Sequence, residues 1–251
     1  MERERFGVRS FQGPRTLGGI LQAIFSDTGY CDRDIATHIH GYLPFLDPTR
    51  AHVYFNDFNS YTVGDWTITT TEAGGGDATE ALVAGDGGLL LVTCDAADND
   101  NDFFQLPVAG FTYVAGKPMG FATCFKVSDA TQSDFVFGLQ ALDTAPLDVD
   151  DGIFFQKDDG DALLDFHVEK NGTPSNATGI ATVANNTFLS VEWVYDGETK
   201  IWYAVNGVVL GSVALTNVPD DVDLTVSFGL QNGEAVAKTM TVDYLLAWKL
   251  R

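Results

Sequence analysis

From residue 51 onward the chain alternates apolar and polar positions with a period of two. Val222, Leu224, Val226, Phe228 and Leu230 interleave with Asp223, Thr225, Ser227 and Gly229, the pattern of an extended strand with one face in and one out. The same holds for Val242, Tyr244, Leu246, Trp248 and Leu250, for Leu189, Val191, Trp193 and Tyr195, and for Phe121, Thr123, Phe125 and Val127. Over 163–169, Leu164, Phe166 and Val168 face one way, and Asp165, His167 and Glu169 the other. Turn pairs separate these runs: Asp86-Gly87, Asp151-Gly152, Asp159-Gly160, Asn171-Gly172, Asp196-Gly197, Asn206-Gly207 and Asn232-Gly233. They supply the positive-φ positions of tight hairpins. The clearest hairpin joins Val191–Tyr195 to Ile201–Val205, and a further turn at Asn206-Gly207 leads into Val208–Val213. The pattern predicts roughly twelve strands in two antiparallel sheets packed face to face, because a single open sheet would leave half the aromatics in water.

One short segment repeats. Phe137-Gly138-Leu139-Gln140 recurs as Phe228-Gly229-Leu230-Gln231, each time after an alternating apolar run. Either two strands are alike by chance, or both lie in equivalent strands of one sheet, where glycine lets a neighbouring layer approach.

Residues 1–50 read differently. They are aperiodic, broken by Gly and Pro, and too rich in apolar side chains (Phe6, Phe11, Leu17, Ile20, Leu21, Phe25, Tyr30, Tyr42, Phe45) for a plain disordered tail. Leu17 to Phe25 has the makings of a short helix, and Pro44 and Pro48 bracket the junction. The expected organisation is an N-terminal arm over 1–50 and a β-sandwich domain over 51–251.

Charge sharpens that division. Six Arg balance six Asp/Glu in the arm, whereas 8 Lys/Arg face 29 Asp/Glu beyond it, so the net −21 belongs to the sandwich. An acidic body argues against nucleic acid as a partner. The longest purely aliphatic run, Leu89 to Val92, is far too short to span a membrane, and the N-terminus lacks the apolar stretch of a signal peptide. Cys31, Cys94 and Cys124 are odd in number and widely spaced, which is no disulfide framework.

The acidic run from Asp95 through Asp98 and Asp100 to Asp102 offers oxygen ligands of the kind calcium takes, without the Gly and distal Glu of an EF-hand loop. Its structural alternative is a solvated loop. Asp148, Asp150 and Asp151 form a second such candidate. His38-x-His40, with Cys31 and His52 nearby, fits no zinc spacing. The basic cluster Arg3, Arg5, Arg9 and Arg15, interleaved with Phe6 and Phe11, combines the residue types that anchor protein interfaces.

The stretch from Tyr54-Phe55-Asn56-Asp57-Phe58 to Val242–Trp248 resembles the concanavalin A-like (laminin G-like) jelly-roll sandwich, most of all the versions in tailed-bacteriophage virion proteins. The residues that carry it are the opening F-x-D-F followed by Gly64-Asp65-Trp66, the block Ala122 to Gly138, the segment Asp151 to Gly160, and the Val191-Glu192-Trp193 strand with its hairpin. That resemblance implies a non-enzymatic decoration or cement protein on a capsid surface, made in the host cytoplasm. It also implies a homo-oligomer, most simply a trimer, gripping the major capsid protein lattice through the arm. Its rival is a carbohydrate-binding module of a head fibre or tail, with calcium as a possible aid. Sandwiches of this kind also host glycoside hydrolases with three acids in the manner E-x-D-x-(x)-E. The nearest counterpart is Asp165-x-His167-x-Glu169, whose outer Cα atoms stand roughly 13 Å apart on a regular strand. Retaining glycosidases hold their carboxyls about 5–5.5 Å apart, so no enzyme is expected.

Overall fold

The computed structural model describes residues 51–72, 74–85 and 87–251. Seventeen strands form among them, more than the pattern predicted, because short edge pieces join the main runs. In chain order they are β1 (Ala51–Asn56), β2 (Thr67–Thr71), β3 (Thr79–Val83), β4 (Leu89–Thr93), β5 (Asn101–Gln105), β6 (Phe111–Thr112), β7 (Met119–Val127), β8 (Ser133–Gln140) and β9 (Gly152–Lys157). They continue as β10 (Leu163–Lys170), β11 (Thr173–Pro174), β12 (Ala177–Thr182), β13 (Leu189–Tyr195), β14 (Lys200–Val205), β15 (Val208–Ala214), β16 (Asp223–Asn232) and β17 (Thr239–Leu250). The first sheet runs β15-β14-β13-β7-β17-β4-β3, with β1 also paired to β17. The second runs β11-β10-β9-β8-β16-β5-β2, with β12 added on β10 and β6 on β16. The fold is an all-β, two-sheet antiparallel jelly-roll sandwich.

The alternating residues meet between the sheets. Phe104 stacks on Phe228 at 4.7 Å, and Phe125 on Phe137 at 4.1 Å. Trp66 sets its edge against both Phe104 and Phe228. Each such side chain contributes about 2–3 kcal/mol by leaving water, and the row of rings fixes which face of every central strand points inward. The hairpin β13–β14 forms as read, and Asn206-Gly207 turns it into β15 with φ of 50° and 72°. Asp151-Gly152 does not form a turn. Gly152 opens β9, and Asp151 Oδ1 instead accepts the Asn171 N–H at 3.0 Å.

The repeated tetrapeptide lies in β8 and β16, which are hydrogen-bonded neighbours with Phe137 directly opposite Phe228. Phe137 and Phe228 both point into the core, while Gly138 and Gly229 point out of the sandwich. A Cβ on Gly138 would stand 2.5 Å from the Phe154 Cα, and one on Gly229 would stand 2.6 Å from the Asp102 carbonyl oxygen and collide with the Phe103 ring. Glycine at both places lets Phe154 and Phe103 lie against the sheet.

The acidic run is not a loop throughout. Asn101 and Asp102 begin β5, and alternation from the inward Phe104 turns Asp102 inward too, fully buried.

Candidate functional site

The outer face of the second sheet is divided in two. On one part Phe103, Val136, Phe154 and Val149 form a small apolar cluster of their own, with Ala141 and Leu147 packed on it. These last residues and Val149 come from the β8–β9 connection, which folds back over the sheet. Polar side chains beneath hold it there: Gln105 Nε2 donates to Ala141 O at 3.1 Å, Asp143 N donates to Gln105 Oε1 at 3.0 Å, and Gln140 Nε2 donates to Pro146 O at 2.9 Å.

Beside that cover runs a band of carboxamides and carboxylates. Register places Thr71, Asn101, Gln231 and Asp134 side by side on β2, β5, β16 and β8. Three strand spacings make this row about 14 Å long. Asn101 Nδ2 donates to Gln231 Oε1 at 3.2 Å, and Gln231 Nε2 donates to Asp134 Oδ2 at 3.0 Å. The other Asp134 oxygen accepts the Asp159 N–H. Burial pushes the Asp134 carboxyl up, and these hydrogen bonds and the nearby Lys157 pull it back, leaving it at about 6. The buried Asn101 Oδ1 accepts nothing among the described residues. On β9, Gln156 Nε2 donates to Asp158 Oδ1 at 2.8 Å.

The band continues onto β10, where Asp165, His167 and Glu169 stand opposite Gln156, Phe154 and Gly152. The His167 ring stacks on Phe154 at 5.0 Å. His167 Nδ1 lies 2.8 Å from Glu169 Oε1, and Asn176 Nδ2 approaches both groups, at 3.0 and 3.4 Å. An amide N–H cannot donate to a nitrogen that is itself donating, so a proton on Nδ1 facing Glu169 leaves Asn176 Nδ2 to donate to the Glu169 carboxylate and not to the ring. In the neutral ring Nε2 is then the acceptor. The carboxylate orients the imidazole, and stacking on Phe154 fixes its plane. Asp165 Oδ1 accepts the Gly179 N–H at 2.6 Å.

The sequence singled out Asp165, His167 and Glu169 as a strand's polar face, and that face is one end of the band. Asn101, Gln231, Asp134 and Gln156 were missed. Each is an ordinary outward polar residue on its own strand, and only the pairing register brings them together. The calcium candidates do not assemble. Among the described residues no three His, Cys, Asp or Glu side chains converge to hold a metal ion. Asp95 instead binds the β2–β3 loop through the Gly76 N–H at 3.0 Å, Asp98 is exposed, and Asp102 faces the interior. Of the weaker set, Asp151 is engaged with Asn171. The arm residues Arg3, Arg5, Phe6, Arg9, Phe11 and Arg15, and the His38-x-His40 motif, lie outside the described residues.

No protein-family model matches the sequence, and no curated protein does. Solved structures do. A protein of unknown function from Shewanella oneidensis aligns with a TM-score of 0.57 at 13% identity, over 80% of this chain and 87% of its own. A Bacteroides ovatus GH16 enzyme of a mixed-linkage glucan locus, in complex with product, aligns with a TM-score of 0.55 at 14% identity, over 76% and 98%. Peanut lectin aligns with a TM-score of 0.53 at 11% identity, over 80% and 97%. The fold is concanavalin A-like.

The expectation that the chain is no enzyme does not stand. Glycoside hydrolases share this sandwich as fully as lectins do. The carboxylate spacing on β10 spoke only against one acid-pair mechanism. It did not address the histidine held between Phe154 and Glu169.

Proposed function

We propose that the protein recognises carbohydrate on the outer face of its second sheet, along the band from Thr71 to Glu169. The observation that carries this reading is the row Asn101–Gln231–Asp134, whose planar amide and carboxylate groups are held in line by one another. Such groups pair with the vicinal hydroxyls of a sugar, each able to give or take two hydrogen bonds. Lectin and glucanase neighbours support the reading at the level of fold. The carboxylates of Asp134, Asp158, Asp165 and Glu169 along the band, in a chain of net charge −21, disfavour polyanionic glycans and favour neutral ones. Residues 1–50, with their interleaved Arg and Phe, are assigned to attachment, on a capsid lattice if the chain is a virion protein.

The test is a panel of soluble neutral β-glucans and galactans, with uronic-acid polymers as the contrast, titrated against the full-length protein. We expect a neutral polysaccharide to bind and Gln231→Ala to weaken it at least tenfold, about 1.4 kcal/mol. Reducing-end release in the same samples reads turnover, which His167→Ala would abolish. Binding by none of the neutral polymers, or undiminished binding by Gln231→Ala, would sink the assignment.

A further inference from the structure

A second polar site lies inside the sandwich, where the β2–β5 side of one sheet faces β3 of the other. Asp102, on β5, is 0% exposed, and neither of its carboxylate oxygens has a hydrogen-bond partner among the described residues. Glu80, on β3 of the opposite sheet, is paired with the core residue Val92 and so turns into the same interior, toward the β2–β5 side. The hydroxyl of Tyr61 is also buried and unpartnered, in the field of both carboxylates. Glu72 adds another negative charge nearby. No lysine or arginine among the described residues forms an ion pair with Asp102 or Glu80. This stands apart from Asp95, which is engaged with Gly76, and from the band on the outer face.

We propose that Asp102 and Glu80, together with the Tyr61 oxygen, bind a hard cation of the calcium class between the two sheets. Buried carboxylates are paired, protonated or coordinated to metal, and here two of them turn into one interior with no basic partner among the described residues. Their donor set is oxygen throughout, which suits calcium and excludes the soft metals that seek thiolate or imidazole. The thiol of Cys94 lies close enough to feel Asp102, but burial and that charge push it up to about 12, so it stays a thiol and no ligand. Two carboxylates and a phenol oxygen leave room for backbone carbonyls or water, and they predict a modest affinity. A cation there would join β3 to β5, one strand from each sheet. Its effect is therefore on cohesion of the sandwich.

The experiment uses full-length protein freed of metal by chelator. Thermal unfolding is followed with CaCl2, MgCl2 or NaCl at matched ionic strength. Calcium should raise Tm by several degrees in a saturable way. Glu80→Gln, a change on a half-buried edge strand, should remove that rise without preventing folding, and Asp102→Asn should do the same. A calcium shift that survives Glu80→Gln puts the ion elsewhere and overturns the proposal. So does the absence of a shift with all three salts. In that case a Tm raised by Asp102→Asn would identify a proton shared by the two carboxyls as the occupant.

Discussion

The two sheets treat their outward carboxylates in opposite ways. On the second sheet, Asp134 receives the Gln231 amide and the Asp159 N–H and has Lys157 close by. On the first sheet, Glu192 of β13 stands opposite Ala204 and Ala122, and the same row continues through Leu246 to Phe55, which is 57% exposed. Burial alone pushes Glu192 up to about 7. Polar groups that brace one another make a surface already shaped for a polar ligand, since their orientation is fixed before anything binds. An acid among apolar neighbours lacks that order, and its charge costs stability. The contrast is why the glycan reading belongs to the second sheet.

The strongest way to break the ordered face is at its floor. Gly229→Ala would set a Cβ 2.6 Å from the Asp102 carbonyl oxygen and against the Phe103 ring. Backbone cannot yield there without opening β5 from β16, so the loss should be about 3 kcal/mol or more, read as a lower urea midpoint. Phe154→Ala comes next. It removes a ring that lies over Gly152, supports His167 and fills the cluster beneath the β8–β9 connection. A loss of about 3 kcal/mol is expected, with carbohydrate affinity falling as well because His167 loses its support. Equal stability in this variant would mean the outer cluster is not packed as described.

Much of this fold could be read before the structure, and for a clear reason. Strands such as β16 and β17 carry their hydrophobic face in strict alternation, and Asn206-Gly207 can hardly do anything but turn. Of the two readings left open by the repeated Phe-Gly-Leu-Gln, the structure takes the second, with β8 and β16 as neighbours in one sheet. Local pattern failed where tertiary register decides. Asp151-Gly152 looks like a turn in isolation, yet strand pairing with β8 and β10 draws Gly152 into β9. Asp102 looked like the end of an acidic loop, because its neighbours Asp98, Asn99 and Asp100 are polar. Its orientation is set by Phe104 two residues on, whose ring belongs to the core. The site was least legible of all. Asn101, Gln231 and Asp134 are separated by as much as 130 residues along the chain, and no spacing rule joins residues that far apart.

The smaller test bears on the other face. Glu192 has a folded pKa of about 7, raised from 4.5 by burial. The folded state therefore holds its proton more tightly than the unfolded state, and stability drops as pH rises from about 4.5 through 7. Below that window both states are protonated and the group costs nothing as a charge. Glu192→Gln keeps the shape and removes the titration. It should match the parent at pH 4 and exceed it by about 2 kcal/mol at pH 8, a discount on the full linkage value because the side chain is not wholly buried. The measurement is the urea midpoint of both proteins across that range. Curves that stay parallel from pH 4 to 8 would mean Glu192 meets a compensating charge, and the difference between the two faces would then be one of partners rather than of order.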